Sequence, residues 1–290
     1  MDSKAGPRKT IVLSTSLLFL LLPRLEAQDP HPLKASLIPE MLSVEPGKPF
    51  CLGLLLSIDE GWHTYWKNPG DAGIPTTIEW RLPAGWAAGS TQWPFPGKFD
   101  EADIITYGYR KEAFLITEMK VPDSAENAGP AVIAVHLEWL VCRDGCIPGR
   151  ADLSLELPIK REKPPVNAPW SSKFRDSRAQ IPAPSGDWDI RVSSTSEGYA
   201  LFLKPPLRLD RELKEAAFFA EESEVIDHSA PQKLSKSDAG YVLELKRSPY
   251  SSGIAPRLTG VLFVERGWDR SGKQLAILLD QRVEQEGLKK

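Results

Sequence analysis

The chain is poor in the residues that build metal and cofactor sites. Its 290 residues hold three cysteines, four histidines and three methionines. A tetrahedral zinc site asks for four ligands at regular spacing. The histidines, His31, His63, His136 and His228, are scattered, and Cys51, Cys142 and Cys146 make only one close pair. No metal and no organic cofactor is expected. Positive charge is not in excess either. The formal net charge is −3, so there is no electrostatic case for nucleic acid or an anionic membrane surface. No paired carboxylates or Ser/His/Asp set can be placed that would mark a hydrolase. After residue 22 no apolar run is long enough to cross a bilayer.

The single long apolar run stands at the start. Lys4, Arg8 and Lys9 precede IVLSTSLLFLLL, residues 11–22, and Leu25-Glu26-Ala27 offers a small residue at a cleavage point. Twelve apolar residues are too few for a membrane span, and the arrangement reads as a signal peptide cleaved after Ala27. Its removal takes away four basic and two acidic groups and leaves a charge of −5. Export matters for the cysteines, because an oxidising compartment favours a bridged pair.

Proline (26) and tryptophan (9) are plentiful, and the apolar residues come in short runs, which favours strands joined by turns. Candidate strands are 33–38, 41–44, 49–58, 76–83, 111–122, 131–142 and 151–159. Their number and spacing predict an antiparallel β-sandwich over residues 30–160. Residues 161–187 are charged and Pro-rich and read as a linker in which SSKFRDSRAQ makes one or two helical turns. Six more strands, at 189–194, 198–205, 216–223, 240–247, 258–266 and 273–280, predict a second small sandwich over 188–282. Residues 283–290 form a polar tail. The fold class expected is all-β.

The sequence EWLVCRDGCIPGRA, residues 138–151, sets Cys142 and Cys146 around Arg143-Asp144-Gly145. Strand-like segments flank them, and Asp144-Gly145 suits a turn with positive φ at glycine. Residues facing each other across such a turn fall in the roughly 4.4–6.8 Å Cα window of a disulfide. The loop closed is tiny, so the bridge would constrain the unfolded chain little. Arg143 and Arg150 favour a thiolate and Asp144 opposes one. From spacing alone, a structural bridge and a redox pair both remain open. Cys51, in an apolar strand, reads as a buried small residue, with pairing to Cys142 or Cys146 as the less favoured alternative.

Four ordered motifs add to this: GWHTYWKNPGDAGIPTTIEWRLP (61–83), WPFP (93–96), YGYRKEAFL (107–115) and LEWLVCRDGCIPG (137–149). Together they resemble the N-terminal periplasmic domain of DsbD-type thiol:disulfide interchange proteins and the related ScsB-type copper-sensitivity proteins. The resemblance covers about residues 35–160. FFAEESEVIDHSAPQKL, residues 218–234, resembles the extra domain of the longer members. The resemblance implies immunoglobulin-like sandwiches and a periplasmic location. It also implies that Cys142 and Cys146 are the redox pair, with Cys146 forming the mixed disulfide. Electrons would come from a membrane-embedded thiol reductase and go to periplasmic thiol oxidoreductases or isomerases. The membrane relay and the thioredoxin-like domain of the full-length pattern are not in these 290 residues, so the expectation is either a donor that is a separate protein or a relay role that has been lost.

In the family a cap loop shields the disulfide with an aromatic. Here the corresponding segment is Phe99-Asp100-Glu101-Ala102-Asp103, with Ala102 near the aromatic's place and Phe99 or Tyr107 as candidate substitutes. Asp100 and Glu101 are candidates to tune the thiols or move a proton. Trp62, Tyr65 and Trp66 are candidates for a partner-docking rim, against the simpler reading that they pack a sandwich core. The rival function is a non-catalytic two-domain binding module in which Cys142–Cys146 is only a staple.

Overall fold

The structure is a computed structural model that describes residues 31–101, 104–127, 129–206, 212–269 and 271–285. The candidate signal peptide, Ala102 and Asp103 of the candidate cap, and residues 286–290 of the tail lie outside the described residues. Among the described residues no helix is long and apolar enough to cross a membrane.

The first half is built from β1 Leu33–Pro39, β2 Phe50–Ile58, β3 His63–Gly70, β4 Thr77–Arg81, β5 Ala87–Ala88, β6 Gly97–Glu101, β7 Ile104–Arg110, β8 Glu112–Lys120, β9 Ala131–Cys142 and β10 Cys146–Leu157. Two antiparallel sheets result. One has the order β1-β2-β8-β5, and the other β10-β9-β3-β7-β6, with β4 paired to β9. Period-two alternation explains how they pack. Leu54 and Leu56 of β2 and Leu115 of β8 point inward to meet Trp66, Tyr109, Val135, Leu137 and Val141 of the facing sheet. Each leucine buried this way stabilises the fold by about 1.5–3 kcal/mol.

The segment expected as a linker carries a helix, α1 Ala168–Arg178, of 11 residues, longer than the expected one or two turns. Pro169 sits in its first turn, where a missing N–H costs nothing. Buried Phe174 meets the Phe114 ring edge-on at 5.0 Å, so α1 covers the outer face of the β1-β2-β8-β5 sheet. Arg178 grips Glu40 with two hydrogen bonds of 2.6 and 2.7 Å, and Asn167 donates to the Pro39 carbonyl. Apolar anchors and a bidentate pair therefore pin this stretch to the first sandwich.

The second half contains β11 Asp189–Ser194, β12 Gly198–Lys204, β13 Ala216–Ala220, β14 Lys233–Ser237, β15 Gly240–Lys246, β16 Arg257–Val264 and β17 Ala276–Glu284. They follow one path, β13-β16-β17-β11-β12-β15-β14, in which β11 and β17 pair in parallel and the rest are antiparallel. Inward residues from both ends of the path, Phe218 and Leu262 from one and Leu201 and Leu243 from the other, share one core. This is the second sandwich.

The two sandwiches share a packed boundary. Phe219, Val261 and Ala276 of the second join the core of the first. Asn68 donates to the carbonyls of Ala220 at 2.8 Å and Glu222 at 3.2 Å. The Tyr107 hydroxyl and His228 Nδ1 are 2.9 Å apart, and the Tyr107 ring meets Phe219 edge-on.

Candidate functional site

β9 and β10 form a long hairpin whose register places Cys142 directly opposite Cys146. Directly opposed residues point to the same face, and the two sulfurs are bonded. The Cα atoms are 4.1 Å apart, slightly closer than the window expected from the turn, because the cysteines are immediate cross-strand neighbours. Gly145 is not among the residues of positive φ, contrary to the turn expected for it. Arg143 N–H instead donates to the Gly145 carbonyl to close the three-residue loop. Cys51 remains a free thiol on β2; burial pushes it up, and Glu40 adds to that. The alternative pairing is therefore absent from the structure.

The two sulfurs differ in access. Cys142 is 3% exposed, whereas Cys146 is exposed at the start of β10, next to exposed Ile147 and Pro148. Beneath them, β3 presents two side chains. The register pairs His63 with Cys142, and Tyr65 lies two residues on along the same face. The Tyr65 hydroxyl donates a 2.9 Å hydrogen bond to Cys142 Sγ. Burial, with Glu101 nearby, pushes the Tyr65 phenol up, so it keeps its proton and acts as a donor. The loop after β3 lies on the Tyr65 ring at Gly73, where a Cβ would come within 2.2 Å of a ring carbon. A glycine there is what allows the ring to be covered.

Strands β6 and β7 complete the site. The Phe99 ring lies 5.5 Å from the His63 ring, and the Arg110 guanidinium stands 4.3 Å over Phe99. Glu101 reaches to 3.5 Å of both His63 Nδ1 and Arg110. Burial lowers the His63 pKa, partly countered by the Glu101 charge, and Arg110 lowers it further.

The expected residues divide accordingly. Phe99 and Glu101 stand beside His63, and Asp100 is exposed between them. Tyr107 cannot cap it. Strand alternation turns its side chain to the opposite face, where it is buried against His228 and Phe219. Trp66 is not a rim residue for the same reason: it alternates with Tyr65 and is 0% exposed in the core. Tyr65 lies under the disulfide rather than around it. Trp62 is half-buried, with the Arg143 guanidinium 4.9 Å over its ring, beside the hairpin tip. His63 and Arg110 were not anticipated. The signal for His63 was its place two residues before Tyr65 in a strand. The turn residues Asn68-Pro69-Gly70 hid that strand, whose ladder with β7 is irregular between Tyr65 and Gly70. Among the described residues no cluster of His, Cys, Asp or Glu could hold a metal ion.

Residues 33–158 match the family model described as thiol:disulfide interchange protein DsbD, N-terminal. The N-terminal periplasmic domain of ScsB from Proteus mirabilis has a similar solved structure. The likeness covers 92% of this chain and 97% of that one, with TM-score 0.62 and 18% identity, which shows a shared fold. A complex between the DsbD N-terminal and PilB N-terminal domains from Neisseria meningitidis matches over 47% of this chain and 86% of that one, with TM-score 0.26 and 16% identity. No curated protein matches the chain.

Proposed function

We propose that the protein is a periplasmic thiol:disulfide interchange protein, a reading supported by the match of residues 33–158 to the DsbD N-terminal family model. It takes reducing equivalents from a membrane-embedded thiol reductase and passes them to oxidised periplasmic thiol oxidoreductases or isomerases. In this reading the Cys142–Cys146 disulfide carries the electrons, and thiol–disulfide exchange asks for no metal or organic cofactor. The observation that carries this reading is the asymmetry of the pair, with Cys146 open to a partner and Cys142 enclosed on a hydroxyl donor.

The chemistry follows from that asymmetry. In the loading half, a donor thiolate attacks Cys146 Sγ and the Cys142–Cys146 bond breaks. Cys142 leaves as a thiolate that the Tyr65 hydroxyl is placed to stabilise. A second donor thiolate then displaces Cys146 and leaves the donor as a disulfide. In the delivery half, the Cys146 thiolate attacks a partner disulfide. Cys142 then attacks Cys146 Sγ, re-forms the internal bond and releases the partner as a dithiol with two electrons and two protons. The exposed Ile147 and Pro148 give an apolar landing place beside the attacking sulfur. Asp100 and Glu101 add negative charge on β6, where Glu101 and the Phe99 ring both stand beside His63, the cross-strand neighbour of Cys142.

The test is a mixed-disulfide trap in the periplasm. The Cys142→Ser variant keeps Cys146 and accumulates a covalent complex with its partners, whereas Cys146→Ser traps little. A reduction potential below about −300 mV together with no trapped complex would make the pair a staple and overturn the proposal.

A further inference from the structure

The delivery half has a step whose proton acceptor is not yet assigned. Once Cys146 is joined to a partner, Cys142 is a thiol 3% exposed, and it must lose its proton before it can attack. Water has poor access to it. A base is needed on the enclosed side of the pair.

His63 is placed for this. It is the direct cross-strand neighbour of Cys142, so both side chains rise from the same face with Cβ atoms about 4.5–5.5 Å apart. It is 1% exposed, and neither ring nitrogen has a hydrogen-bond partner among the described residues. A buried, unsatisfied imidazole costs about 1–3 kcal/mol. The packing does not relieve that cost, because the ring meets Tyr65 edge-on at 5.2 Å and Phe99 at 5.5 Å. In the bridged form Cys142 carries no proton, so an acceptor facing it has nothing to bind; that changes when the disulfide opens.

We propose that His63 is the general base for resolution, an inference that rests on the thiol:disulfide interchange reading. Nδ1 lies toward Glu101, which leaves Nε2 to accept the Cys142 proton. The S–H bond breaks as the N–H bond forms. The Cys142 thiolate attacks Cys146 Sγ, the Cys142–Cys146 bond forms, and the Cys146–partner bond breaks. The partner sulfur leaves with the electron pair. The imidazolium is compensated by the half-exposed Glu101, through which the proton returns to solvent. Among the described residues, Glu101 on β6, Arg110 on β7, Tyr65 on β3 and the Cys142–Cys146 pair are the titratable or charged groups that face His63. Burial keeps the ring neutral at neutral pH and so able to accept.

The experiment uses the reduced full chain carrying Cys51→Ser, which leaves only the pair to react, and dithiobis(nitrobenzoate), which releases a coloured thiolate at each of two steps. The first release reports attack by Cys146 and the second reports resolution by Cys142. His63→Gln should leave the first rate unchanged and slow the second about 100-fold. The wild-type second rate should fall as pH drops through the His63 titration, below about pH 6.5. In the variant that inflection disappears, and the deficit shrinks at alkaline pH as the thiolate forms unaided. A variant whose second rate stays within about twofold of wild type, with the inflection kept, overturns the role of His63. If His63→Gln does not fold, Glu101→Gln carries the test. Loss of the carboxylate should move the inflection to lower pH, and an unmoved inflection refutes the assignment. Failure of the interchange reading is distinct, because it is read by the absence of a trapped partner complex with Cys142→Ser and by a reduction potential below about −300 mV, neither of which depends on His63.

Discussion

The two sandwiches treat buried polar atoms differently. In the second, Trp188 Nε1 donates to the Trp268 carbonyl and Trp268 Nε1 to the Leu262 carbonyl. The hydroxyls of Tyr199 and Tyr241 accept from the backbone N–H groups of Ala255 and Leu213. In the first, Ser43, His63, Trp66, Thr76, Trp80 and Thr106 keep buried side-chain nitrogens or oxygens without a hydrogen bond among the described residues, and none of this kind is found among the described residues of 188–285. Two of these six, His63 and Trp66, stand on β3, and Thr106 stands on its neighbour β7. A saturated core favours a single rigid state, and unsatisfied groups beside a reactive bond are where function tolerates a cost. On the proposed function the first sandwich carries the chemistry, and the saturated core of the second suits a scaffold.

The largest expected effect separates stability from chemistry. Phe218→Ala, in the core of the second sandwich, should cost about 3–5 kcal/mol in denaturant unfolding. The reduction potential of Cys142–Cys146 should not move. A shift in both would break the division between scaffold and site. Next comes the boundary. Asn68→Ala leaves the Ala220 carbonyl unsatisfied and should cost about 1–3 kcal/mol. Because Asn68 closes the irregular end of β3, hydrogen exchange should rise in β3 and β13 together; a rise in only one would show that the sandwiches are not coupled there.

A smaller effect sits at the sulfur itself. Tyr65→Phe removes the donor to Cys142 and should raise the Cys142 thiol pKa in the reduced protein by about one unit, with the fold retained. Thiolate absorbance against pH measures this, and an unchanged titration would remove Tyr65 from the mechanism. The mildest test uses acid. Burial lowers the pKa of both His63 and His228 below the unfolded value. The unfolded chain therefore binds the extra protons. The stability these rings carry is whole above about pH 6.5 and is lost as pH falls through the folded values. His228→Gln should make that decline shallower in urea titrations, and a decline of unchanged slope would assign it to other groups.

Much of this was legible in the chain, and the gaps have physical causes. Strands with clean alternation, such as AVIAVHLEWLVC and GYVLELKR, announce themselves because one face is apolar. So does a bridge across a turn between two strands. β3 was not anticipated, because Asn68-Pro69-Gly70 mimics a turn, and because a strand buried on both faces shows no alternation. MLSV, residues 41–44, was expected as a strand, but only the isolated bridges of Met41 and Val44 form there. Tyr107 and Trp66 were given the wrong face for a related reason. A one-residue choice of phase sends every side chain of a strand to the other side, and neither YGYR nor HTYW reveals its phase locally.

By itself the sequence determined the all-β class, the disulfide hairpin and the family resemblance. Each of these depends on neighbours a few residues apart or on ordered motifs. Tertiary structure decided which sulfur is exposed and which stands on Tyr65. It brought His63 opposite Cys142 and Glu101 beside His63. It also turned Tyr107 toward His228 of the second sandwich. Those relations join residues as far as 77 positions apart, for Tyr65 and Cys142, and 121, for Tyr107 and His228, and strand register and packing set them.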